Sequence, residues 1–429
     1  MIRLIIRQFF GLCVLCLSVE AKISLINLKF TEEGYWYAKG YNNDPMFPKD
    51  ICWESCCDCD LFSNPSELFC FFRSRLRKDH PVLRKLKFWK YVRKHRLQVD
   101  VKEKELIDED IKELQKLLHR YKRYFEKIAE FFGINKNIYL DVFYSRINSG
   151  AKTVVNACLD NYIFKDEIHT QILANELPLN DPRMSVSSRL SILAHEFSHA
   201  MLSAKFGSPE KFENIVSEID EPNSYIVSGI LNEALAAVLG NIVVQEKISG
   251  EKVDWRKEEY CTYGFANALK ELTNRYLNNS RAIDEHYIRE AIKIFNKIFP
   301  NCCTDPRFFL RNFILIGPRD VSQKASYLMS KTVSGSYEYF SFPVHKFSEK
   351  EEKAITNSHQ TLIITYSNDK ELQKVRKFIP TFDERKNINL ISRSNRIYLI
   401  LKVDKNHSFE ELVDTLLSKK DNYSHKVLA

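Results

Sequence analysis

Apolar residues recur along this chain at two different spacings, and the change from one to the other separates its segments. Ile107, Ile111, Leu114, Leu118, Tyr121, Phe125, Ile128 and Phe132 follow one another at intervals of three and four. That spacing puts all eight on one face of a long helix, which Gly133 is expected to stop. From 138 the period becomes strand-like, with strands predicted over 138–143, 153–164 and 170–173. Asn148-Ser149-Gly150 and Lys165-Asp166-Glu167 supply the turns between them. Asp181-Pro182 then presents a cap followed by proline at the first helical position, so a helix is predicted from there to Lys205, before Gly207. Further helices are expected over 221–244, 262–277 and 284–298. Beyond Pro300 the pattern changes again: strands over 337–344, 361–366, 388–391 and 396–403, with helices over 370–378 and 408–417, form a small α+β module. Upstream of the long helix lie a strand over 23–30 and an irregular, cysteine-rich loop region over 34–60.

Composition narrows the class of molecule. The chain has 429 residues, 44% of them hydrophobic and 28% charged, enough for two or three packed domains. Only 12 Gly and 13 Pro are present, which argues against low-complexity tracts and long disordered tails. The net charge is +8, and it is concentrated: 73–96 holds eleven Lys or Arg against one acid, Asp79, so the remainder is close to neutral. Leu83, Leu86, Phe88, Trp89, Tyr91 and Val92 are interleaved with those cations. The stretch reads as a solvated helix face with an inward apolar side, or as a surface that contacts anionic lipid or an acidic polymer.

The first 21 residues read as an export signal. Arg3 and Arg7 are the positive start, 9–19 is a short apolar core, and Val19-Glu20-Ala21 places small residues where a signal peptidase cuts. The protein is therefore expected to be exported: periplasmic, secreted, or anchored by the uncleaved segment. Nucleic acid is not expected as a partner, and no later segment reads as a membrane span. Of the 11 cysteines, nine lie after the signal, with Cys52, Cys56, Cys57 and Cys59 crowded together, Cys70 nearby, and Cys302-Cys303 adjacent. In an exported chain these are expected as disulfide staples; a structural zinc site in a reducing compartment is the competing reading. Nine is odd, and Cys158 or Cys261 is the natural thiol left over.

The chemistry concentrates in His195-Glu196-Phe197-Ser198-His199. On a helix, residues four apart share a face, so the two imidazoles can meet one ion, while Glu196, about 100° round, sits beside it as a base. Val186, Leu190, Leu193, Phe197, Ala200, Met201 and Ala204 would bury the rest of that helix. A catalytic zinc needs a third protein ligand. Leu202 and Lys205 stand where a metzincin has its glycine spacing and third histidine, and Asn232 stands where a Gly-x-x-Asp from Gly229 would place its acid. Glu233 is the one acid between Glu221 and Glu246, on an apolar helix where an uncompensated carboxylate costs several kcal/mol. It is the predicted third ligand, and Ala234, Ala236, Ala237 and Gly240 would let its helix pack closely on the first. Asn232 is a candidate hydrogen-bond partner of a ligand histidine.

His195-Glu196-x-x-His199, followed 34 positions later by the Asn-Glu-Ala helix that carries Glu233, resembles the gluzincins, the thermolysin-like zinc metallopeptidases. The resemblance covers roughly 138–298 and does not extend to the flanking segments. It implies an α+β, zincin-like catalytic domain over 134–300, one catalytic Zn2+ on His195, His199 and Glu233, and Glu196 as general base for peptide hydrolysis. The remaining divisions are the signal over 1–21, a helical, Cys-containing N-terminal region over 22–133, and the C-terminal module over 301–429. The family also implies a downstream oxyanion donor, for which Tyr263 and His286 rank ahead of Tyr260. Tyr162, His169 and Asn175 are candidates to line a cleft for an extended peptide or protein substrate. The alternative is a zincin-fold binding or scaffold protein at the cell envelope that has lost catalysis.

Overall fold

The computed structural model describes residues 101–146, 155–164, 167–176, 179–253, 261–302, 305–310, 313–317, 323–325, 327–328, 339–343, 361–379, 382–393, 396–418 and 424–428. The signal, Cys52, Cys56, Cys57, Cys59 and Cys70, the basic stretch over 73–96, Tyr260 and Cys303 lie outside the described residues, as does the side chain of Cys158. Cys261 and Cys302 are buried. The described chain mixes helix and sheet and divides into two compact units.

One unit contains the described residues up to Gly207, together with Leu239–Val253 and Thr273–Ala282. It opens on α1 (Val101–Phe131), whose stripe is the predicted one: Leu114, Leu118, Phe125, Ile128 and Phe132 are each at most 2% exposed. Gly133 ends the helix at φ +67°, a left-handed turn that glycine takes without steric cost. Three strands follow, β1 (Asn137–Arg146), β2 (Val155–Phe164) and β3 (Glu167–Glu176), in the order β1-β3-β2. The central β3 runs parallel to β1 and antiparallel to β2. Alternate residues Ile138, Leu140 and Val142 of β1 and Ile168, Thr170, Ile172 and Ala174 of β3 are buried, so one face of the sheet is core. Helix α2 (Val186–Phe206) lies against β2, and α1 packs on α2, with Phe125 edge-on to Phe197 at 5.4 Å between ring centroids.

The other unit contains Ser208–Val238, Asp254–Leu272 and the described residues from Ile283 onward. It begins with α3 (Pro209–Ser217), a helix the apolar pattern does not announce; Ser208 caps it by accepting from Lys211 N, and Pro209 sits in its first turn. Helix α4 (Ser224–Ser249) packs on α3 and runs on into the first unit at Leu239. It starts later than 221 because Asn223 is left-handed, φ 63°. Asn223 Nδ2 donates to Asn296 Oδ1 at 2.7 Å, and Asn296 Nδ2 donates to the carbonyl of Pro222, also at 2.7 Å. Among the described helices, α4 alone is long and apolar enough to cross a membrane; 83% of its most apolar window is buried within the fold, as in a core helix. Helices α5 (Thr262–Asn278) and α6 (Glu285–Ile298) meet through Phe265 and Phe295, 5.1 Å between centroids.

After the short α7 (Pro306–Phe309), the chain builds a six-stranded sheet. Its strands are β4 (Phe313–Gly317), β5 (Tyr339–Pro343), β6 (Thr361–Tyr366), β7 (Ile388–Arg393), β8 (Arg396–Lys402) and β9 (Ser424–Leu428), ordered β5-β4-β6-β8-β7-β9. β5, β4, β6 and β8 are parallel in turn, and β7 closes as a hairpin on β8. Helix α8 (Asp369–Phe378) covers one face through Leu372 and Val375 against Ile314, Ile364 and Ile400; α9 (Phe409–Leu417) starts with a capping box on Ser408 and Glu411.

Candidate metal centre

The segment that carries the histidines is helical because its start is capped and its apolar positions bury it. Ser185 accepts from Ser188 N, so α2 opens at Val186 rather than at the Asp181-Pro182 pair. Asp181 is engaged elsewhere: it accepts from the backbone and guanidinium N–H groups of Arg183, which closes a local turn. Those hydrogen bonds from Arg183 hold the Asp181 carboxyl down at about 2. At the far end Gly207 takes φ 91° and returns its N–H to Ser203 O. Leu190, Leu193, Ala194, Phe197, Ala200 and Met201 are buried, leaving His195, Glu196 and His199 half-buried along one side. The sheet holds this helix through Asn161, whose Nδ2 donates to Ala200 O at 2.8 Å while its Oδ1 accepts from Thr170 Oγ1 at 3.2 Å.

The two imidazoles converge as the spacing of four predicts. Their rings are edge to face at 4.9 Å between centroids, and their Nε2 atoms are 3.2 Å apart. Glu233, from α4, completes a group of three ligand atoms that all lie within 4.8 Å of one another. A tetrahedral zinc with Zn–N bonds of about 2.0–2.1 Å sets its two nitrogens about 3.3 Å apart, so the separation of the Nε2 atoms fits one. Two imidazole nitrogens that face each other at that distance need a proton or a cation between them. The donor set of two imidazoles and a carboxylate is one that zinc accepts.

Close passage of α4 beside α2 depends on a missing side chain. A Cβ at Gly240 would lie 2.7 Å from both His195 Cα and Ser191 O, inside any allowed contact, so no other residue fits. The next residue, Asn241, is buried, and its Oδ1 stands 2.7 Å from His195 Nδ1. His195 Nδ1 thus donates to Asn241, a residue that the sequence reading did not single out. The signal was present: Asn241 is the one polar side chain between Glu233 and Gln245.

The remaining candidates occupy separate elements. Tyr263 is half-buried in the first turn of α5, with its carbonyl accepting from Asn267 Nδ2 at 2.9 Å. His286 is exposed in the first turn of α6. His169 on β3 stacks on Tyr139 at 4.7 Å and lies 3.3 Å from Glu167 Oε2, while Glu167 Oε1 accepts from Tyr139 Oη at 2.9 Å. That last bond, aided by desolvation, raises the Tyr139 phenol above its ordinary range. Tyr162 and Asn175 lie on β2 and β3, with side chains outside the described residues. Comparison of the chain with family models, with curated proteins and with solved structures gives no match.

Proposed function

We propose that this chain is a zinc-dependent metallopeptidase of gluzincin type, exported from the cytoplasm and acting on peptide or protein substrates. The observation that carries the proposal is the convergence of His195, His199 and Glu233, with their ligand atoms within 4.8 Å of one another. Glu196, one residue past the first ligand on the same helix, supports the catalytic reading. A bound zinc supplies a Lewis acid that lowers the pKa of water toward neutrality and polarises the scissile carbonyl. His195 and His199 offer neutral Nε2 lone pairs, and Glu233 contributes the one negative charge of the ligand set. The Glu196 carboxylate takes the proton that the attacking water loses and delivers it to the leaving amine nitrogen. Tyr263, through its hydroxyl, or His286, through its ring N–H, donates to the oxygen that becomes negative.

Metal analysis of the purified chain tests the ligand set: about one zinc per chain is expected, with the ion lost in Glu233→Ala. Wild-type protein without stoichiometric zinc overturns the proposal. Digestion of an unstructured protein tests the chemistry. Wild type is expected to cleave it and to stop when zinc is chelated, and Glu196→Gln is expected to keep its zinc and lose cleavage by at least about 100-fold. Zinc binding without any cleavage by wild type would favour a zincin-fold binding protein instead.

A further inference from the structure

We propose that Asn241 is the positioning residue of His195, brought to that ring by the π segment of the same helix that supplies Glu233. The inference rests on the zinc reading above and deepens it.

An imidazole can present either ring nitrogen to a cation, and its other nitrogen decides which. In His195 the Nδ1 atom faces the Asn241 amide oxygen at 2.7 Å. An amide oxygen only accepts, so Nδ1 carries the proton and Nε2 carries the lone pair. The same Nε2 lies 3.2 Å from His199 Nε2, on the side of the ring where the three ligand atoms gather. Asn241 is buried, at 6% exposure, and its neighbour Gly240 leaves no room for α4 to shift against His195. The amide is thus fixed by the backbone that bears it.

Helix geometry explains how one helix delivers both groups. Glu233 and Asn241 are eight residues apart. In a regular α-helix, about 100° per residue, eight steps leave them about 80° apart around the axis. From Ala237 to Val244, however, α4 is a π-helix. Five-residue hydrogen bonding slows the rotation to about 82° per residue, so four α steps and four π steps bring Asn241 to within about 10° of the face of Glu233. The π segment therefore lets one helix present a carboxylate to the ion and, two turns on, an amide to the ring behind it. The amide adds no charge to the site; Glu233 remains the only anion in the ligand set, and Asn241 acts by orientation alone.

The test measures zinc affinity, by competition with a chromogenic chelator, together with the melting temperature of the zinc-free proteins. Asn241→Leu keeps the volume and removes the acceptor. It is expected to weaken zinc binding about 10- to 100-fold while the zinc-free protein melts close to wild type. Asn241→Asp restores an acceptor and is expected to bind zinc at least as tightly as wild type. If Asn241→Leu does not fold, Asn241→Ala serves in its place, with the same loss expected and the same rescue by aspartate. Equal zinc affinity in wild type and in the Leu or Ala variant overturns this inference and leaves the zinc site standing. So does an Asp variant that binds as weakly as they do. A wild-type chain that binds zinc no better than His195→Ala overturns both.

Discussion

At the scale of single residues, the centre depends on a side chain that is absent as much as on those present. Gly240 faces His195 Cα and Ser191 O at distances no Cβ can occupy, so a methyl there must push α4 away from α2. We expect Gly240→Ala to destabilise the protein by about 1–3 kcal/mol or more, the range for overpacking a tight core, and to abolish stoichiometric zinc as well. Chemical denaturation read beside metal content checks both; an unchanged midpoint with full zinc would show that the helices can part freely. Glu233 and Gly240 were both legible in the sequence, the first as an isolated acid on an apolar helix and the second as one of several small neighbours. Asn241 was legible only in principle. A lone buried amide is satisfied by a backbone carbonyl as readily as by an imidazole, and its distance from Glu233 places it off the ligand face of an ordinary α-helix.

At the scale of elements, the segments with clear polar boundaries or caps were legible and those without them were missed. β6 (Thr361–Tyr366) was readable end to end, and α6 began where Asp284 could cap it. β4 was missed: all five of its residues are buried, as are all six of β6, so neither shows a period of two, but β6 is bounded by His359-Gln360 and Ser367-Asn368 whereas β4 follows closely on the apolar run Phe308-Phe309-Leu310. α3 is too short for a stripe to emerge, and the late start of α2 follows from a competition that sequence spacing does not resolve, between Asp181 bonding Arg183 and Asp181 capping a helix. The π segment of α4 was invisible, since it changes rotation without changing composition. It also makes α4 unequally tolerant of changes in length. Removing Val238 lets the segment tighten to α geometry, and seven α steps leave Glu233 and Asn241 about 20° apart. One residue added there, with the π geometry kept, turns the pair about 90° apart. The deletion is expected to keep zinc despite lost packing, and insertion of one alanine after Val238 to lose it; metal analysis of the two purified variants decides, and the reverse order would refute the rotational account.

At the scale of the molecule, the long helix α1 is part of the same compact unit as β1 to β3 and α2. Leu114, Leu118, Phe125, Ile128, Phe131 and Phe132 are each at most 2% exposed. At about 1.5–3 kcal/mol for each buried apolar side chain, their burial contributes on the order of 10 kcal/mol. That is comparable to the entire net stability of a typical domain, about 5–15 kcal/mol. A chain shortened to begin at residue 134 is therefore expected to lose cooperative unfolding and zinc together, as thermal melts and metal analysis would reveal; a stable, zinc-loaded product would show α1 to be dispensable. The edge-on contact of Phe125 with Phe197 gives this dependence a direction. Phe197 stands between the two histidines in sequence, so the ring that α1 clamps belongs to the pentad that carries two of the three candidate metal ligands. The pentad and its partner helix are not a transplantable cassette: moved into another host without α1, they would carry every ligand and lack the anvil against which those ligands are held.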